Sequence, residues 1–250
     1  MLLILPPSES KRPGGETGTR LDLARLSFPE LNGAREAALD ALLRLSEDVE
    51  AAMTALRLGP KLRVEAERNR EILRAPTAPA LDRFDGVLYD ALDAATLSVE
   101  ARSAAGDRVA IASALFGLLG ALDPIPAYRL SADSRLPGVR LRALWGEPVA
   151  EVLAARTGLL LDLRSEAYAA LGPIPERDDA HYLRVVTDDG AGQRRALNHF
   201  NKAGKGALVR ALLESGAEPA SVDELLAWGR SAGVRLEPGR PGEIALVVGT

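Results

Sequence analysis

The chain has 250 residues, 47% hydrophobic and 26% charged, with a formal net charge of −4 and no cysteine. Its length suits one large domain or two small ones with a full core, and the composition is that of a folded chain. Disulfides, iron–sulfur clusters and thiolate zinc sites are excluded, and His181 and His199 stand in no HExxH or HxH spacing, so no metal and no other cofactor is expected.

The opening run, Met1 to Leu5, is stopped by Pro6 and Pro7 and is too short for a leader or a membrane span. No later stretch reaches about 18 uninterrupted apolar residues, so a cytoplasmic protein with no membrane partner is expected. Leu2 to Leu5 reads as a buried strand entering a loop rich in hydroxyls, glycine and charge, Pro6 to Gly15. Residues 28–73 read as helical: Leu39, Leu42, Leu43, Leu45, Val49, Met53 and Leu56 make a broad apolar face that Gly59-Pro60 breaks. A helix is predicted from Asp93 to Arg102 and a buried strand from Val109 to Phe116. Trp145-Gly146 leads into a helix ending at Gly158, followed by a short strand, Leu159 to Leu163.

Residues 182–187 and 195–201 flank Asp188-Asp-Gly190, a hairpin signal. A helix running to Ser215 follows, with Gly216 as its C-cap. Ser221 and Glu224 form a capping box for another helix, and the end of the chain reads as a second hairpin. No repeat or long linker appears, so one domain over residues 1–250 is expected. Its fold class is α/β in the mixed α+β sense, a mixed sheet flanked by helices.

Four segments could carry chemistry. Gly190 to Leu213 holds Arg194, Arg195, Lys202, Lys205 and Arg210 with no acid, inside an acidic protein. Lys202 and Lys205 are predicted where a strand gives way to a helix, a place where free N–H groups favour an anion. Gly204 and Gly206 would let the backbone approach a phosphate, and Asn198 and Asn201 would donate to it. The plain alternative is a solvated basic helix start, since GxxxxGK[ST] is absent. The loop Ser8 to Arg12 follows the first strand and offers Lys11, with Glu9 to orient it. Leu163 to Tyr168 gathers Arg164, Ser165, Glu166 and Tyr168 at another strand end, or else pairs Glu166 with Arg164 on the surface. Ser113 to Gly117 with Asp123, Tyr128 and Arg129 reads as a rigid functional loop or a buried polar network. Trp145 and Trp228 read as core anchors.

These segments occur in an order that resembles the YaaA family of bacterial peroxide-stress proteins. The matching pieces are Leu3-Ile-Leu-Pro-Pro-Ser-Glu-Ser-Lys11, Phe84-Asp-Gly-Val-Leu-Tyr89, Ser113-Ala-Leu-Phe-Gly117, Pro126-Ala-Tyr-Arg-Leu130, Trp145-Gly146, Leu163-Arg-Ser-Glu-Ala-Tyr168 and Phe200-Asn-Lys202 with Lys205. The resemblance implies a single mixed α/β domain with a positively charged cleft at strand ends. It also implies a role in surviving hydrogen peroxide by limiting free iron and the DNA damage it causes. Some members are described as binding DNA through the cleft and a helix-hairpin-helix-like element. Carried over, Lys11, Arg129, Ser165, Lys202 and Lys205 belong to the cleft. In this chain that element carries Ala91 and the acids Asp85, Asp90 and Asp93, which repel phosphate. Two ligands are therefore expected for the same cleft: double-stranded DNA, or a small phosphorylated or carboxylated metabolite. The sequence names no reaction.

Overall fold

The computed structural model describes residues 1–188, 194–195 and 198–249; the side chains of 188, 194, 195 and 198–200 fall outside that description. In chain order the first elements are β1 (Leu2–Leu5), α1 (Asn32–Ser46), α2 (Val49–Ala55), α3 (Arg63–Arg68), β2 (Ala78–Pro79), α4 (Ala80–Arg83), α5 (Val87–Leu92) and α6 (Val99–Arg108). Next come β3 (Val109–Ser113), β4 (Gly117–Gly120), β5 (Pro124–Ile125), α7 (Leu141–Ala154), β6 (Leu160–Asp162) and α8 (Glu166–Ala169). The last are β7 (Ala180–Asp188), β8 (Arg194–Arg195), α9 (Asn198–Glu214), α10 (Val222–Ser231), β9 (Leu236–Pro238) and β10 (Glu243–Gly249).

The strands form a mixed sheet in the order β4-β3-β1-β6-β7-β10-β9, with β8 added to β7. β3, β1, β6, β7 and β10 run parallel, and β4, β8 and β9 are antiparallel additions. β3 and β6 are buried along their whole length, as parallel strands covered by helices must be. The expected α/β class is therefore the observed one. β2 and β5 make a separate two-stranded pairing. Among the described residues no helix is long and apolar enough to cross a membrane.

The predicted helical region 28–73 is broken into three short helices. Asp48 starts α2 by accepting from the backbone N–H groups of Glu50 and Ala51, which ends the continuity with α1. The helix predicted at Asp93 begins instead at Val99, where Ser98 caps it through the N–H of Ala101. The strand predicted to Phe116 stops at Ser113. There Ser113 Oγ accepts from Leu115 N at 3.1 Å and Phe116 N at 2.9 Å, turning the chain into the β3–β4 hairpin. Trp145 lies inside α7, fully buried, and donates its indole N–H to the carbonyl of Ala114. The predicted terminal hairpin is present as β9–β10; of the first, β7 pairs with β8, its turn lies outside the described residues, and the arm expected over 195–201 is corrected, since Asn198 to Asn201 belong to α9. Ser221 caps α10 through the N–H of Glu224, whose carboxylate accepts from Ala220 N at 2.9 Å.

α9 packs on α5, α6, β7 and β10. Its glycines make that contact close. A Cβ on Gly206 would lie 2.1 Å from the Leu88 carbonyl of α5, and one on Gly204 would lie 2.9 Å from Val248 of β10. The expectation that these glycines admit a phosphate to the backbone is corrected here: they admit a neighbouring helix and the sheet.

Candidate functional site

β1 sits between β3 and β6, so the connections leaving β1 and β6 depart on opposite sides of the strand order. In parallel sheets a crevice opens at the carboxyl ends of the strands at such a point. A cleft of about 940 Å³ lies there. It is walled by the loop after β1 (Pro6 to Ser10), the segment Ser131 to Asp133, the loop after β6 (Ser165 to Tyr168), β7, and α9. β6 pairs with β7 as far as Tyr182, and β8 takes up the same side of β7 from Thr187. Among the described residues, the β7 edge between those points has no ladder partner on that side and forms part of the wall.

The floor is built on a buried ion pair. Asp162 ends β6, and the chain then bends so that the Arg164 N–H donates to Asp162 Oδ1 at 3.0 Å. Arg164 donates from Nε to Asp162 Oδ1 at 2.8 Å and from Nη2 to Oδ2 at 2.7 Å, and both side chains are buried. This corrects the expected Arg164–Glu166 pairing: Glu166 is exposed and lies instead 3.6 Å from Arg184. The Arg164 carbonyl accepts from Tyr182 Oη at 2.9 Å and from Lys205 Nζ at 3.4 Å. Burial, with Arg184 acting in the same direction and Asp162 opposing it, lowers the Lys205 amine to about 8. Burial, reinforced by Asp162 and Glu166, raises the Tyr182 hydroxyl, which stays protonated at neutral pH.

The predicted site residues divide. Ser165, Lys202 and Lys205 line the cleft. Lys202 is exposed and has no ion pair among the described residues, whereas Lys205 is only 4% exposed. The alternative of a solvated basic helix start thus fails for Lys205. Both lysines also lie past the first turn of α9, which begins at Asn198, so the free N–H groups of the helix start are not theirs. Asn198 opens that helix, but its side chain lies outside the described residues, as do those of Arg194 and Arg195. Asn201 lines the cleft with a buried Oδ1 that has no hydrogen-bond partner among the described residues.

Lys11 and Arg129 stand behind the wall. Lys11 Nζ donates to the Glu9 carbonyl at 3.1 Å and sits 4.3 Å from the centre of the Tyr128 ring. Burial, with Arg129 next in size, lowers its amine to about 7. Arg129 pairs with the Glu9 carboxylate, which faces the cleft. Tyr128 donates to or accepts from Ser113 Oγ at 2.7 Å, and Asp123 accepts from Ser27 and Gly120, so this segment is a buried polar network. Arg210 is absorbed by structure too, donating to the Leu92 and Asp93 carbonyls.

Sequence reasoning missed Tyr182 and Arg184 as wall residues. Their signal was the alternation of Tyr182, Arg184 and Val186 against the buried Leu183, Val185 and Thr187 along β7. The cleft's charges are mixed: Arg184, Lys202 and Lys205 on the β7–α9 side face Glu9, Asp133 and Glu166 across it. In the α4–α5 element, the acids expected to repel phosphate have partners. Asp85 lies 3.3 Å and Asp90 3.8 Å from Arg12, and Asp93 lies 3.9 Å from Arg210. Among the described residues no group of three or more His, Asp or Glu side chains could hold a metal ion.

A family model described as peroxide stress protein YaaA matches residues 1–238. Curated relatives named UPF0246 proteins align along nearly the full length. One from Corynebacterium efficiens is 44% identical, covering 99% of this chain and all of its own. One from Streptomyces coelicolor is 43% identical over 96% of this chain and 94% of its own. One from Cereibacter sphaeroides is 33% identical over 95% of each.

Proposed function

This chain belongs to the peroxide stress protein YaaA family, and on that premise we propose that it limits iron-driven damage under peroxide stress by holding phosphate in the strand-end cleft, with duplex DNA as the principal ligand. The observation that carries this reading is Lys202, an exposed cation on the cleft wall with no ion pair among the described residues. Arg184 stands on the same side, and β8 brings the backbone of Arg194 and Arg195 to the end of β7. The pairing of Asp85 and Asp90 with Arg12 removes part of the repulsion that the α4–α5 element would otherwise exert.

Contacts of this kind bind without reading sequence and weaken as counterions return. The test is fluorescence anisotropy with a labelled duplex at two salt concentrations, using the wild type and Lys202→Glu. Binding that falls steeply with salt, and a shallower log–log slope with lower affinity in the variant, are expected. Absence of binding at low salt would sink the DNA reading.

A second reading is favoured by the size and lining of the cleft. About 940 Å³ lies in the range of small-molecule sites, and Glu9, Asp133 and Glu166 disfavour a long polyanion. In that case the ligand is a small phosphorylated or carboxylated metabolite. A thermal-shift screen of such compounds distinguishes it, since stabilisation by a small anion without duplex binding supports the metabolite.

A further inference from the structure

The cations of this chain are overwhelmingly arginine. Of its 31 Lys and Arg residues, only Lys11, Lys61, Lys202 and Lys205 are lysines. Elsewhere the buried cations are Arg35, Arg83, Arg108 and Arg164, the first two and Arg164 with several hydrogen bonds each, and one other lysine, Lys11. Arginine keeps its proton and is a poor nucleophile, whereas a desolvated lysine can present a neutral amine. A buried lysine facing a cleft in such a protein therefore calls for a reason that a guanidinium would not meet.

We propose that Lys205 is a nucleophile that forms an imine with an aldehyde-bearing phosphate held in the cleft. The geometry is specific to this residue. Lys205 is buried yet lines the cleft, and among the described residues its one hydrogen-bond partner is a single carbonyl at 3.4 Å. Its neighbour Tyr182 shares the same carbonyl, and the ring centre lies 5.6 Å from Nζ. Lys202 and Arg184 stand on the same side of the cleft to hold the phosphate. The lowered amine, about 8, gives a larger neutral fraction at physiological pH than an exposed lysine has. Lys11 is lowered further but lies packed on Tyr128 behind the wall and does not line the cleft.

The step balances without a redox partner. The amine lone pair adds to the carbonyl carbon, and a proton passes from nitrogen to the former carbonyl oxygen, giving a carbinolamine. The nitrogen lone pair then expels that oxygen, which leaves as water after taking one proton from solvent in the open cleft. The product is a protonated imine that keeps the charge of the original ammonium.

The inference rests on the reading of the cleft as a phosphate site, and the experiment keeps the two apart. The full chain is incubated with glyceraldehyde 3-phosphate, or with a duplex carrying an abasic deoxyribose, and treated with borohydride. Intact mass and peptide mapping then locate any reduced adduct, while thermal shift or anisotropy without borohydride reports non-covalent binding. The expected result is a single adduct on the Lys205 peptide of the wild type, absent from Lys205→Met and retained, at higher ligand concentration, by Lys202→Ala. An adduct from only one of the two probes identifies the aldehyde as free or DNA-borne. Binding without an adduct, or an adduct confined to Lys61 or Lys202, overturns the inference alone. Neither binding nor adduct overturns the phosphate reading and the inference with it.

Discussion

Two buried cations on opposite sides of β1 show how the same protein uses burial for different ends. Arg35 is fully buried and donates to the carbonyls of Ser27, Phe116 and Leu118 and to the Asn32 side chain, at 2.6–3.0 Å. Lys205 is almost as buried but meets one carbonyl at a long distance and opens onto the cleft. A buried cation saturated by carbonyls fastens loops to a core, whereas one left with spare donors beside a cavity is available to a ligand. The degree of satisfaction, more than burial itself, separates the structural region from the functional one.

The largest effect that tests this contrast is Arg35→Ala. It strands three backbone carbonyls in the core and leaves a cavity, and should cost about 3–5 kcal/mol in urea unfolding. Lys205→Met should change stability far less, because an unbranched apolar chain replaces a poorly satisfied amine. Equal losses in the two variants would break the comparison.

Close packing behind the cleft gives the next effect. Gly206→Ala gains helix propensity but drives a Cβ to 2.1 Å from the Leu88 backbone, so α5 must move and a net loss of about 1–3 kcal/mol is expected. Gly146→Ala in α7, where an added Cβ meets nothing within 4 Å beyond its own helix turn, should instead stabilise by up to about 1 kcal/mol. A neutral Gly206→Ala would show that α9 can shift on α5, and would loosen the argument that Lys205 is held in place.

Much of the fold was legible. β1 was marked by an apolar run closed by two prolines, and β9–β10 and α10 by turn and cap residues adjacent in sequence. The site was legible mainly as positions: Ser165, Lys202 and Lys205 were expected in the cleft and line it. Their environments were not legible, because each depends on a partner far along the chain. Gly204 and Gly206 look the same in sequence whether a phosphate or a helix approaches them. The Arg164 pairing was not legible either: both Asp162, at the end of β6, and Glu166, at the start of α8, stand two residues from it.

The two lowered lysines give a pH signature that sharpens the contrast. In the unfolded chain both amines titrate near 10.5, but in the fold Lys11 is lowered to about 7 and Lys205 to about 8. Between the folded and unfolded values the unfolded chain binds more protons, so this contribution to stability rises with pH. It should rise from about pH 7 toward pH 10.5, and Lys205→Met should remove the part that begins near 8 while leaving the Lys11 part. Unfolding free energies at several pH values check this; an unchanged slope in Lys205→Met would mean that its amine is solvated in solution.

The smallest stability effect belongs to the cleft rim. Glu166 is 81% exposed and lies 3.6 Å from Arg184, a pair of the kind worth about 0–1 kcal/mol. Glu166→Gln should therefore leave the melting temperature within error of the wild type. The same change removes one of the three carboxylates facing the cations of the cleft, so affinity for a phosphate ligand should rise, and more so at low salt where screening is weak. Arg35 predicts the opposite pattern, a large loss of stability with no direct effect on a ligand it does not face. If Glu166→Gln altered stability but left anion binding unchanged, the rim would belong with the structural region, and the cleft would end at the buried floor of Asp162, Arg164 and Lys205.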